Sequence, residues 1–82
     1  MNRAMIAENF ETIILLDGFD DCIINIIGNI QTECALYSTH KIIEKLKKEM
    51  SEEEAREYFE YNIIGAYLGE HTPMFTVEMD CL

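Results

Sequence analysis

The side chains able to do chemistry in this 82-residue chain are mostly acids. Glu53, Glu57 and Glu60 follow one another at steps of four and three. On a helix that spacing lines their carboxylates along one side, with Cβ atoms roughly 5–6 Å apart. Such a row activates no substrate, but it offers a basic groove something resembling a phosphate backbone. Asp17, Asp20 and Asp21 form a second acidic group. Hard divalent cations want several carboxylate oxygens, yet the alternating acids and distant Glu of an EF-hand are absent, and a solvated turn at Asp17-Gly18 is the plainer reading. His71, between Glu70 and Thr72, is placed to act as a general base, but no Ser or Cys nucleophile stands near it in a recognisable motif. Cys22, Cys34 and Cys81 are odd in number and lack C-x-x-C spacing, and His40 and His71 are scattered. Neither a disulfide framework nor a zinc site follows from that pattern. The cysteines read as reduced thiols, Cys22 and Cys34 behaving as small buried hydrophobes. No catalytic residue, metal or cofactor is expected.

Charge narrows the partners. Sixteen Asp and Glu against six Lys and Arg give a formal net charge of −10. That surface repels phosphates and anionic membranes and attracts basic protein surfaces, so no direct nucleic acid contact is expected. The apolar runs are four to six residues long, too short for a membrane span, and no signal peptide is recognisable, which makes the cytoplasm the expected location. The length suits one domain over residues 1–82, with residues 1–11 a helical or flexible leader.

The elements that must position the acids are legible in the second half. Ser38 or Thr39 can cap a helix on which Ile42, Ile43, Leu46 and Met50 share a face, with lysines opposite and a Glu44–Lys48 pair. Ser51 followed three residues later by Glu54 is a capping box, and the acids of residues 52–54 suit a helix start. A stripe of Ala55, Tyr58, Phe59, Asn62, Ile63 and Ala66 places the second helix over residues 52–67, with a Glu52–Arg56 pair and with Gly69 as the left-handed residue that ends it. Asn62 on that stripe needs partners for its amide, and the expected ones lie in the loop of residues 69–73, tying the helix end to the last strand. Tyr58 should pack, while Tyr61 and Tyr67 point toward the boundary, where aromatics with a polar tip suit an interface. Strands are expected at residues 12–16, 22–27, 34–37 and 74–79. The last opens after Pro73, which a strand tolerates at its first position, and buries Phe75, Val77 and Met79. It should return to pair with residues 34–37 or 22–27. The fold class is α+β: a small antiparallel or mixed sheet with two consecutive helices on one face.

These residues also carry a resemblance. Met50, Ser51, Glu53, Glu54, Ala55, Glu57, Tyr58, Phe59, Tyr61, Asn62, Gly65, Ala66, Tyr67, Gly69, Thr72, Pro73 and Phe75 resemble the M-[ST]-x-E-E-A-x-E-[YF]-[FM]-x-[FY]-N-x-x-G-A-[WY]-x-G-x-x-T-P-x-F pattern of a family of small phage and bacterial proteins without an agreed activity. Asp17-Gly-Phe-Asp-Asp21 resembles that family's D-G-F-D-[DE] stretch. The match spans residues 17–76; the longer lead and the 28–33 segment depart from it. The resemblance implies a phage setting. The functional expectation is therefore a non-enzymatic, acidic binding protein that uses Glu53, Glu57, Glu60, Tyr61 and Tyr67 against a basic protein, with Ser51, Glu54, Asn62, Gly69 and Pro73 structural. The alternative is a small structural homo-oligomer that buries Tyr61, Tyr67 and part of residues 12–16.

Overall fold

The computed structural model describes residues 3–29, 31–64, 69 and 71–77. Helix α1 (Arg3–Asn9) precedes a 3-10 turn at Asp20–Cys22, strands β1 (Ile23–Ile27) and β2 (Cys34–Tyr37), and helix α2 (Thr39–Leu46). Helix α3 (Glu52–Tyr58) runs directly into a π-helix (Phe59–Ile64), and β3 (Met74–Phe75) closes the order. The fold is α+β.

The sheet order is β1-β2-β3, with β2 central. β1 pairs antiparallel to β2, Ile26 opposite Ala35 and Ile23 opposite Tyr37, with a bulge between Ile23 and Asn25. β3 pairs parallel to β2, Tyr37 opposite Phe75. Parallel neighbours need a long crossover, and α2 and α3 supply it. Side chains directly opposite across a ladder share a face, so Ile23, Ile26, Ala35, Tyr37 and Phe75 line one side of the sheet. There they meet Ile42, Ile43 and Leu46 of α2 and Ala55, Phe59 and Ile63 from α3 and the π-helix in one buried cluster. Phe75 is the hinge of that packing: its ring lies 5.9 Å from Tyr37 and edge-on to Phe59 at 5.3 Å.

Within the leader, Arg3–Asn9 form α1 and pack on the core. Ile6 is 2% exposed within the core, and the Arg3 guanidinium donates to the Leu16 carbonyl at 2.9 Å and bridges to Asp20 at 3.0 Å. Tyr37, fully buried, accepts the Leu16 N–H on its hydroxyl at 2.8 Å. These contacts replace the strand expected at residues 12–16. That segment pairs with no strand among the described residues; Ile13, Leu15 and Leu16 pack on the core without a ladder. A short apolar run is equally at home in a strand or in an irregular buried segment, and here the Tyr37 hydroxyl and the Arg3 guanidinium hold the backbone of its last residue, Leu16.

Two further expectations change. β3 is two residues long, because the backbone of Thr76 turns to α2. Thr39 donates to the Thr76 carbonyl at 2.5 Å, and its N–H reaches the Thr76 hydroxyl at 3.1 Å. Val77 is accordingly 84% exposed rather than buried, and Met79 lies outside the described residues. Glu44 pairs with Lys47 at 3.3 Å instead of Lys48, since the helix ends at Leu46 and the four-residue geometry ends with it.

Candidate protein-binding face

Helix α3 begins where its cap dictates. Ser51 accepts the Glu54 N–H at 3.2 Å and donates to the Glu54 carboxylate at 3.2 Å. Glu52 and Arg56 pair at 3.4 Å. From Phe59 the turn widens to i→i+5 bonding, a form that recurs at functional sites in helices. Widening alters which residues stack. Ala55, Phe59 and Ile63, four apart, stay buried, but Asn62 rotates out of the stripe and is exposed. The expected tie from Asn62 to the loop is therefore absent among the described residues. The loop is held otherwise: Gly69, at φ +105°, offers its carbonyl to the Thr72 hydroxyl at 2.6 Å, and His71 Nδ1 lies 2.7 Å from the Glu33 carbonyl. That contact gives His71 a local structural role. Pro73 is buried immediately before β3.

Glu53, Glu57 and Glu60 are all exposed, as is Tyr61 at 79%. Tyr58, expected to pack, is 43% exposed. A shallow recess of about 350 Å³ is lined by Met50, Glu54, Glu57, Tyr58, Tyr61 and Asn62. It brings Glu57 and Tyr61 together, while Glu53 and Glu60 do not line it. Tyr67 lies outside the described residues. Glu54 and Asn62, expected to be structural, thus sit on the same face as the partner-binding set, Glu54 serving the cap as well. The signal for this grouping was in the sequence: Met50, Glu54, Tyr58 and Asn62 recur at four-residue steps, with Glu57 and Tyr61 beside them. Between Glu49 and Glu60 the chain holds Glu49, Glu52, Glu53, Glu54, Glu57 and Glu60 against one cation, Arg56, already engaged by Glu52. The face is therefore strongly negative, with tyrosine rings for apolar contact.

The other acidic group serves the fold. Asp17 and Asp20 face Arg3 at 3.4 and 3.0 Å, and Asp21 meets Lys45 at 2.9 Å. The Lys45 ammonium holds the Asp21 carboxyl below its usual range. Among the described residues no group of three or more His, Cys, Asp or Glu is arranged to hold a metal ion. Cys22 and Cys34 are buried free thiols. Burial, reinforced by the Asp21 charge, pushes the Cys22 thiol up to about 11, which leaves it a poor nucleophile at neutral pH. No helix among the described residues is long and apolar enough to cross a membrane.

Comparison with family models, with curated proteins and with solved structures finds no match to this chain.

Proposed function

We propose that this chain is a non-enzymatic binding protein that docks the acidic, tyrosine-bearing face of α3 and the π-helix onto a basic surface of another protein, and so blocks or modulates it. The observation that carries the reading is the exposure of Glu53, Glu57 and Glu60, with Glu57 lining a recess beside Tyr61, on a chain of net charge −10. A row of carboxylates suits a groove built for phosphates, so the partner class is a nucleic-acid-processing or anti-phage defence enzyme. The phage setting rests on the family resemblance of residues 17–76. Close charge pairs across an interface raise association rates and fix register, and the tyrosines supply desolvated anchors. Docking takes place in the host cytoplasm on this reading, with no cofactor.

The test is capture of partners from host lysate on the tagged protein at low and high salt. A stoichiometric basic enzyme that is lost at high salt supports the reading, because screening removes an electrostatic contact. Glu53→Gln, Glu57→Gln and Glu60→Gln together should weaken that complex by at least about tenfold, with an unchanged circular dichroism spectrum. Retained affinity in the folded triple variant would sink it.

A further inference from the structure

Strand β1 reads Ile23-Ile24-Asn25-Ile26-Ile27, a palindrome centred on Asn25. It is an outer strand of the sheet, and among the described residues nothing pairs with its free side. We propose that β1 is the interface of a symmetric dimer, in which a second copy of this chain adds its own β1 antiparallel, with the two-fold axis at Asn25.

The sequence is self-complementary in the way that axis demands. A two-fold contact places residue i against j and j against i, so Ile24 faces the second copy's Ile26, and Ile23 faces its Ile27. The two asparagines meet at the centre. Each aliphatic residue meets an identical one, whichever copy it comes from. Open backbone groups on a strand edge are a template for such pairing. Here the Ile26 N–H is met at 2.9 Å by the Oδ1 of its own neighbour, Asn25, a local bond that pairing with a second strand would exchange for a ladder bond. Ile24 is 47% exposed and Asn25 is exposed, so both are available to a partner.

The palindrome selects the second copy as occupant, and the charge distribution permits it. Two molecules of net charge −10 repel wherever their acids meet, and residues 22–29 carry no charged side chain. In this register Asp21 falls opposite Asn29 rather than opposite an acid, and its charge is already met by Lys45 at 2.9 Å. Beside the edge an open recess of about 570 Å³ has Phe10, Ile26 and Ile27 in its lining together with asparagines and one acid, Glu33, so the strand's margin is mixed rather than apolar. Size sets the strength. A contact along five residues, about 17 Å long, covers less than the roughly 800 Å² per partner typical of stable complexes, and the bulge at the Ile23–Asn25 end shortens the regular ladder. The dimer is weak, with a Kd above about 1 μM.

This proposal is independent of the acidic face, and salt separates the two. Dimerisation should strengthen with salt as the mutual repulsion is screened, whereas partner docking should weaken. The deciding experiment is register-specific disulfide trapping in a Cys81→Ser background. Side chains directly opposite on paired strands have Cβ atoms about 4.5–5.5 Å apart, close to disulfide reach. Asn25→Cys should therefore yield a covalent dimer under mild oxidation, at least about tenfold faster than Asn29→Cys, whose opposite residue is Asp21. Sedimentation of the unmodified chain should show a monomer–dimer equilibrium that Ile24→Lys shifts at least tenfold toward monomer. Equal trapping at both positions, a purely monomeric chain at millimolar concentration in high salt, or open-ended oligomers would each overturn the proposal.

Discussion

Helices α2 and α3 follow the same local code and end with opposite surfaces. Each starts at a serine whose hydroxyl accepts the N–H three residues on, Ser38 from Lys41 and Ser51 from Glu54, both at 3.2 Å. Each arm buries three apolar residues: Ile42, Ile43 and Leu46 on α2, and Ala55, Phe59 and Ile63 on α3 and its π-helical continuation. On the outer side they part. α2 carries lysines, two of which are neutralised within the molecule, Lys45 by Asp21 and Lys47 by Glu44. α3 carries glutamates, and Glu53, Glu57 and Glu60 form no ion pair among the described residues. One helix has its charge answered by the fold and the other presents it outward. The two helices therefore differ in where their counter-charges lie, although both bury apolar side chains equally well.

If both helices are equal parts of one core, the largest effect comes from emptying either inner face. Phe59→Ala should cost about 3–5 kcal/mol and Ile42→Ala about 2–5 kcal/mol, a large fraction of the roughly 4–12 kcal/mol expected for a chain of this length. Urea unfolding followed by circular dichroism measures both. A loss below about 1 kcal/mol for Phe59→Ala would make the α3 arm an appendage and break the comparison.

The next effect is alkaline. Cys22 sits beside the Asp21–Lys45 pair, and its thiol donates to Asp21 at 3.7 Å. Its folded value of about 11 lies above its ordinary 9.0, so the protonated thiol stabilises the fold. That contribution is complete below about pH 9 and is lost as pH rises through 11, on the order of 2–3 kcal/mol once both values are passed. Tyr37, also raised by burial, acts in the same direction. A pH series of melting temperatures should fall above pH 9, and Cys22→Ala should flatten the upper limb. Identical slopes in the two proteins would show that Cys22 does not carry it.

Smaller still is the difference between the caps. Ser38 is buried and Ser51 exposed, so an unmet helix N–H is left dry in one case and wetted in the other. Ser38→Ala should cost near 2 kcal/mol and Ser51→Ala nearer 0.5 kcal/mol. Equal costs would erase the distinction between framed and presented helix. Smallest is the triple Glu53, Glu57 and Glu60 to Gln change. It should raise stability by a few tenths of a kcal/mol as like charges along the helix are relieved, read as a small rise in melting temperature. A clear loss would mean that these acids serve the fold.

What the sequence settled was local. The Ser51 cap, the Glu52–Arg56 pair, the left-handed Gly69 and the apolar spacing of each helix start depend on residues within one or two turns and were legible at their own positions. The sequence narrows the first cap to Ser38 or Thr39, and the structure uses Ser38. The exposure of Glu53, Glu57 and Glu60 was legible too, because the excess of acids over the single cation Arg56 is written in order along the chain. What tertiary structure decided was anything needing a distant partner. Residues 12–16 became an irregular packed segment whose end, Leu16, is held on both backbone groups by Tyr37 and Arg3. β3 stopped at Phe75 because Thr39 captures Thr76, and the Asp17–Asp21 group met Arg3 and Lys45. Asn62 joined the surface where the helix widens at Phe59, since a change of helical pitch moves side chains around the axis without altering their order in sequence, and Tyr58, the last residue before the widening, is exposed as well. Short-range hydrogen bonds and periodicity fix elements, whereas the choice among competing long-range partners is made only when the chain closes on itself.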